Sequence, residues 1–280
     1  MEVGLDFKNI ASYTENMAKG LADKMFFLNK LNISPKRSYL FVDFGCADGI
    51  LISSLYEIFN SKGINAYYIG YDISETMIDL AKTKFNYNTD KVMFTSDWEE
   101  VISKMNEYPG NSKVLILSSV IHEIYSYAES DDDIDIFWHR ALDSNFDYIC
   151  IRDMMVSKDI NTSAFKTNAY KKVDYKIPVI NKYRIQFEDI YGKIYNWKNL
   201  IHFLLKYRWT INWDREVHEN YFPIYIEDFL KKFEKKYNLN YFERFRVPFL
   251  DKCWLDDFNI IDTEIFYNTH IKTIFERKKK

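Results

Sequence analysis

Two short acid-ended runs carry the first sign of chemistry. The stretch FVDFGCADGIL, residues 41–51, leads an apolar run through Asp43 into a turn with Gly45 and Gly49, and AYYIGYD, residues 66–72, ends on Asp72. A strand that turns through glycines into a helix brings backbone N–H groups and the positive helix end to one edge of a sheet, where ligands of such folds bind. An acid ending the second strand can accept both hydroxyls of a ribose. The glycine spacing departs from G-x-G-x-x-G, because only Gly45 and Gly49 are present, which disfavours a nicotinamide cofactor. Further on, His122 and Glu123 are adjacent. An imidazole beside a carboxylate suits general-base work, since its ordinary pKa lies near neutrality, although the same pair would also serve to fix a loop. Arg152 and Asp153 either contact a substrate or pair, and Asp97 either meets a ligand or caps the helix that follows it.

These residues need elements to position them. Residues 13–31 place Met17, Leu21, Met25 and Leu28 at helical spacing behind Thr14, which predicts an amphipathic helix within an N-terminal cap over 1–38. The run YLFVDF, 39–44, reads as a buried parallel strand and 49–59 as a helix. A strand at 66–72 follows, then a helix capped by Ser74. The alternation continues with a strand at 91–95, a helix from about 97 to 106, a strand at 113–119, a helix opened by the acidic run Ser130 to Asp135, and a strand at 147–153. Five strands separated by crossover helices predict a doubly wound α/β sheet. Residues 154–222 break the rhythm and read as a mainly helical insertion in a single domain spanning 1–280. A helix after Pro223, carrying Ile226, Phe229, Leu230, Phe233 and Tyr237 with the proline in its first turn, and strands at 241–250 and 269–277 complete the pattern.

Composition closes off several classes. With 47% hydrophobic and 28% charged residues, the chain is neither collagen-like nor disordered, and a net charge of −3 supplies no global field for nucleic acid or an anionic membrane. Cys46, Cys150 and Cys253 are far apart and without metal-ligand spacing, as are His139, His202, His218 and His270, so no disulfide framework and no metal are expected. Cys46 reads as a small packing residue. The first residues lack a signal-peptide pattern and no stretch of 18 apolar residues occurs, from which a soluble, cytoplasmic protein without membrane contact is expected.

Taken in order, VDFGCADG, IGYDISETMIDLAK, the acid of SDW at 96–98 and LSSVIHEI resemble class I S-adenosylmethionine-dependent methyltransferases over roughly residues 39–153 and again in the closing helix and strands. The family's G-x-G-x-G stands here as Gly45, Ala47 and Gly49, with alanine crowding the middle. The resemblance implies a Rossmann-like sheet of seven strands whose last strand is antiparallel, with S-adenosylmethionine as cofactor. It implies that Asp43 and Gly45 face the methionine part, that Cys46, Ala47, Gly49 and Ser118 also belong to the cofactor site, that Asp72 binds the ribose, and that Asp97 accepts from adenine with Ile73 or Trp98 against the ring. It sets His122 and Glu123 where the methyl acceptor approaches.

Absences and charge bear on the acceptor. No Asp/Asn-Pro-Pro-aromatic sequence follows the fourth strand and no Pro-Cys pair exists, which removes the usual DNA amino-methylating and C5-cytosine enzymes; the aspartate of magnesium-dependent catechol-type enzymes is also missing. From Arg152 to Phe222 there are 13 Lys and Arg against 8 Asp and Glu, and bases interleave with rings at Tyr183, Arg184, Trp197, Lys198, Tyr207, Arg208 and Trp209. Arg152, Arg184, Trp197 and Arg208 are therefore candidate substrate contacts. The expected activity is methyl transfer to an oxygen or nitrogen of an RNA, nucleotide or small-molecule acceptor, the insertion acting as RNA grip or as lid. A catalytically silent cofactor-binding subunit that positions a partner enzyme is the alternative. Oligomeric state is not legible.

Overall fold

The computed structural model describes residues 20–87, 89–175 and 178–279. Thr14 and Met17 of the expected first helix lie outside them. The described part of that segment is a single turn, α1 (Leu21–Lys24), followed by a 3-10 turn over Phe26–Asn29 that buries Phe26 and Phe27.

Seven strands form one sheet: β1 (Tyr39–Phe44), β2 (Ala66–Tyr71), β3 (Val92–Thr95), β4 (Ser112–Ser118), β5 (Tyr148–Met154), β6 (Tyr237–Phe245) and β7 (His270–Arg277). Their order is 3-2-1-4-5-7-6; β1 to β5 run parallel, and β7 lies antiparallel between β5 and β6. This is the class I methyltransferase architecture that the sequence resemblance implies. The parallel strands are buried on both faces because crossover helices cover both. Along β1, Leu40, Val42 and Phe44 enter one core while Tyr39 and Phe41 enter the other, and β4 divides Leu115 and Leu117 from Val114 and Ile116 in the same way.

The helices follow the parallel strands: α2 (Ile50–Ser61), α3 (Glu75–Lys84), α4 (Trp98–Glu107), α5 (Ile121–Tyr127) and α6 (Asp131–Asp143). Ser74 accepts from the Met77 N–H at the start of α3, and Asp97 from the Glu99 N–H at the start of α4. At α6 the Asp133 carboxylate accepts from the Ser130 N–H.

After β5 the chain forms α7 (Ala169–Tyr175), α8 (Pro178–Tyr191), α9 (Trp197–Lys206) and the short α10 (Trp213–Glu216). These share a second hydrophobic core with α12 (Pro248–Phe258), which supplies Cys253, Trp254 and Phe258. Two expectations need correction here. The strand at 241–250 ends at Phe245, because Pro248, with no N–H to give a ladder, opens α12 at its first turn. The helix after Pro223 is α11 (Ile226–Phe233); the proline precedes its N-cap Tyr225, and Tyr237 begins β6 instead.

Candidate functional site

The register levels the ends of the central strands. Asp43 lies opposite Gly70 and Ile116, and Ser118 opposite Arg152, so the turns after β1, β2, β4 and β5 meet at one edge.

The turn after β1 is tight. Gly45 and Cys46 both donate to the Tyr71 carbonyl, at 2.8 and 2.9 Å, and Ala47 donates to Asp72 Oδ2 at 2.8 Å. Gly45 and Gly49 take φ of +80 and +76, where a Cβ would stand 2.7 Å from Val120 and 2.6 Å from the Phe94 ring. Ala47, the alanine in the middle of the motif, holds φ +45. Ser119, directly after β4, holds φ +58, so non-glycine residues in the left-handed region flank both sides of this edge. Asp72 Oδ1 accepts from the Ser74 N–H at 2.9 Å. Each Asp72 oxygen thus accepts one backbone N–H and keeps acceptor capacity for a ligand.

Asp43 is buried, and that burial, partly offset by Lys24, raises its carboxyl to about 7. Cys46 is packed inside, where burial pushes its thiol well up and leaves it inert. Ser118 Oγ is buried without a hydrogen-bond partner, an orphan that a bound ligand would satisfy. Ile73, 51% exposed, offers an apolar surface beside Asp72, and Asp97 is exposed. Trp98 does not stand beside them. It is buried edge-on to Tyr71 and against Phe44, so its apolar bulk belongs to the core.

Across β1 from this turn, β4 and β5 deliver a second constellation. His122 Nδ1 lies 2.7 Å from Asp153 Oδ1. Asp153 is held in turn by N–H groups of Val120 at 3.1 Å, Ile121 at 2.8 Å and Met154 at 2.7 Å. Burial works against both charges. For the carboxylate, His122 and these N–H groups outweigh it, and the Asp153 pKa is lowered. For the imidazole, Asp153, aided by Glu219 and Glu123, outweighs it and raises the pKa to about 8.

Glu219 and Arg215, which no sequence motif marks, come from α10 and the turn after it. Glu219 Oε2 lies 3.8 Å from His122 Nε2, while its Oε1 meets Tyr127 Oη and Arg215 Nη2, both at 3.0 Å. Arg215 also pairs with Glu123 at 3.2 Å. Ligand atoms of His122, Glu123 and Glu219 fall within 4.8 Å of one another. Burial and the Glu219 charge raise the Glu123 carboxyl to about 7, and burial with Glu219 raises Glu216 to about 8. Two buried side chains of α9 fix the turn that bears Glu219: Lys206 Nζ donates to the carbonyls of Glu216 and Glu219, and His202 Nε2 accepts from the Tyr221 N–H at 3.2 Å. No local signal points to this group, because α10 is four residues long and lies roughly 90 residues from α5.

The remaining candidates sit elsewhere. Arg152 pairs with Asp23 at 2.9 Å and donates to Ser119, tying α1 to the sheet. Trp197 is a core residue whose Nε1 donates to the Ala164 carbonyl, so its ring is not offered to a base. Arg184 is bound to Asn181 and Glu188, and Arg208 to Asp257. A hollow of about 840 Å³ between α4 and α6, lined by Trp98, Ile102, Ile136 and Arg140, holds none of the residues at the strand edge.

No family model matches this sequence, and no curated protein matches it. Among solved structures it is similar to an S-adenosylmethionine-dependent methyltransferase from Anabaena variabilis, at 11% identity over 96% of each chain with a TM-score of 0.47. It is also similar to one from Mesorhizobium loti, at 12% identity over 93% of this chain and 99% of that one, with a TM-score of 0.48. A pericyclic reaction enzyme is similar at 10% identity, the match covering 90% of this chain and 46% of that one, with a TM-score of 0.44.

Proposed function

We propose that this chain is an S-adenosylmethionine-dependent methyltransferase acting on an oxygen or nitrogen of a small molecule. The observation that carries the reading is the meeting, at one sheet edge, of the Asp72-braced turn and the Asp153–His122 pair. The residues fit the cofactor: Asp72 retains acceptor capacity for a ribose, and the Ser118 hydroxyl is unmatched. When bound, S-adenosylmethionine supplies a methyl group already activated on a sulfonium. The protein's task is then to align an acceptor and take its proton. Asp153 holds His122 by Nδ1, which in the neutral ring leaves Nε2 as the proton acceptor.

A small acceptor is favoured over RNA because several cations of residues 152–222 are held by acids elsewhere in the chain. Arg152, Lys158, Lys172, Arg208 and Arg215 pair with Asp23, Asp228, Glu264, Asp257 and Glu123, all acids outside residues 152–222. The insertion's positive excess thus binds it to the rest of the molecule.

Calorimetry with S-adenosylhomocysteine, read beside a melting curve, tests the proposal. Saturable binding with a raised melting temperature is expected, since a ligand selective for the native state stabilises it by mass action. No heat at millimolar ligand would sink it, and binding without turnover on any acceptor would turn the protein into a silent subunit.

A further inference from the structure

We infer that the triangle of His122, Glu123 and Glu219 receives a protonated amine, so that the acceptor is a small molecule methylated on nitrogen. This rests on the methyltransferase reading above and narrows it. With His122 neutral and both glutamates ionised, no member of the triangle donates, and the donor beside it is Arg215 Nη2. Asp153 occupies the Nδ1 side of His122, so the neutral ring offers only the lone pair of Nε2, and both glutamates offer only acceptors when ionised. Three converging acceptors complement –NH₃⁺, which has three donors and no acceptor; a hydroxyl could satisfy only one of them.

The spacing agrees. His122 Nε2 and Glu219 Oε2 are 3.8 Å apart, too far for a hydrogen bond to each other, yet a nitrogen about 2.9 Å from each fits between them. The third corner lies within 4.8 Å of both. A cationic nitrogen already sits against this carboxylate pair, since Arg215 Nη2 stands 3.2 Å from Glu123 and 3.0 Å from Glu219. It uses Glu219 Oε1 and leaves Oε2 turned to His122. Glu123, 26% exposed where Glu219 is 4%, lies on the side open to an incoming amine.

The reaction then balances. The ammonium gives one proton to His122 Nε2, and the freed nitrogen lone pair forms the new N–C bond as the methyl–sulfur bond breaks with its electrons going to sulfur. The products are an N-methylammonium, a thioether and an imidazolium that returns its proton to solvent.

The test uses ethylammonium chloride as probe on the full chain without cofactor, followed through the ¹⁵N signals of the His122 ring. We expect a saturable shift at Nε2, absent with ethanol or with sodium chloride at equal concentration, and weakened roughly tenfold or more in Glu219→Gln, which loses a charge-assisted contact. In parallel, protein given trideuteromethyl-labelled S-adenosylmethionine and a small-molecule cell extract should label amines. An unmoved His122 signal, or label confined to hydroxyl or carboxyl groups, overturns the inference while leaving the methyltransferase reading intact. A divalent ion retained at one per chain and lost in His122→Ala would also overturn it, making the triangle a metal site. Failure of S-adenosylhomocysteine to bind would instead remove the reading on which it rests.

Discussion

Asp72 does two jobs, and a substitution there should separate into two measurements. Its carboxylate braces the Ala47 and Ser74 N–H groups and, in our proposal, meets a ribose. Asp72→Ala is expected to weaken S-adenosylhomocysteine binding at least about tenfold by calorimetry, the loss of one or more charge-assisted hydrogen bonds. It should also lower the melting temperature by a few degrees, because the buried Ala47 N–H and the half-buried Ser74 N–H lose their acceptor. His122 carries the pH dependence. Its folded pKa of about 8 lies above the ordinary value of 6.5. Protonation therefore favours the folded state, a contribution of ~2 kcal/mol present below about pH 6.5 and lost as the pH rises through about 8. Melting curves across that window should show a smaller loss in His122→Asn than in the wild type, the remainder coming from Asp43, Glu123 and Glu216, whose carboxyls are raised as well. Turnover should run the other way, rising to a plateau above about pH 8, because the neutral ring is the base.

At the scale of elements, the turn between β1 and α2 depends on what its glycines leave out. Gly49→Ala would force a Cβ against the Phe94 ring at 2.6 Å and hold alanine at φ +76. A loss of about 2 kcal/mol or more is expected from denaturant unfolding, the sum of backbone strain and overpacking. Gly63 has nearly the same backbone, φ +63, but open space around it. Gly63→Ala should cost only about 1 kcal/mol, the conformational part alone. Equal losses at the two sites would mean that packing against Phe94 is not what sets the turn.

For the molecule as a whole, ion pairs tie residues 152–222 to the rest of the chain. The excess of Lys and Arg over residues 152–222 suggests a surface for phosphates, yet Arg208 holds Asp257, Arg184 holds Glu188, and Lys198 lies over the Tyr225 ring at 5.2 Å. Fluorescence anisotropy with single-stranded RNA at several salt concentrations should therefore give weak binding, and neutralising Lys182, Arg184, Lys198 and Arg208 together should change its salt slope by less than about one unit. A slope that drops by three or four units on neutralisation would restore the RNA reading. Among the described residues no helix is long and apolar enough to cross a membrane.

The succession of strands and helices is legible in the amino-acid sequence itself. Strand, glycine turn and helix are local events, set by apolar periodicity, by the backbone freedom of glycine and by caps such as Ser74 and Asp97, each acting over a few residues. Asp43 and Asp72 can be singled out because each stands at the end of a strand that the pattern itself reveals, and the His122–Glu123 pair because it closely follows another. What their side chains meet is beyond that reach. Asp153 reaches His122 across 31 residues, and Glu219 arrives from a turn held by Lys206 and His202, buried groups whose role has no local signature. Trp197, as a ring for stacking, and Arg208, as a phosphate contact, each have a plausible local meaning that burial and ion pairing replace. Periodicity tells which side of an element is apolar; only the packed chain decides which element lies against it, and so which charges find a partner and which are left facing a ligand.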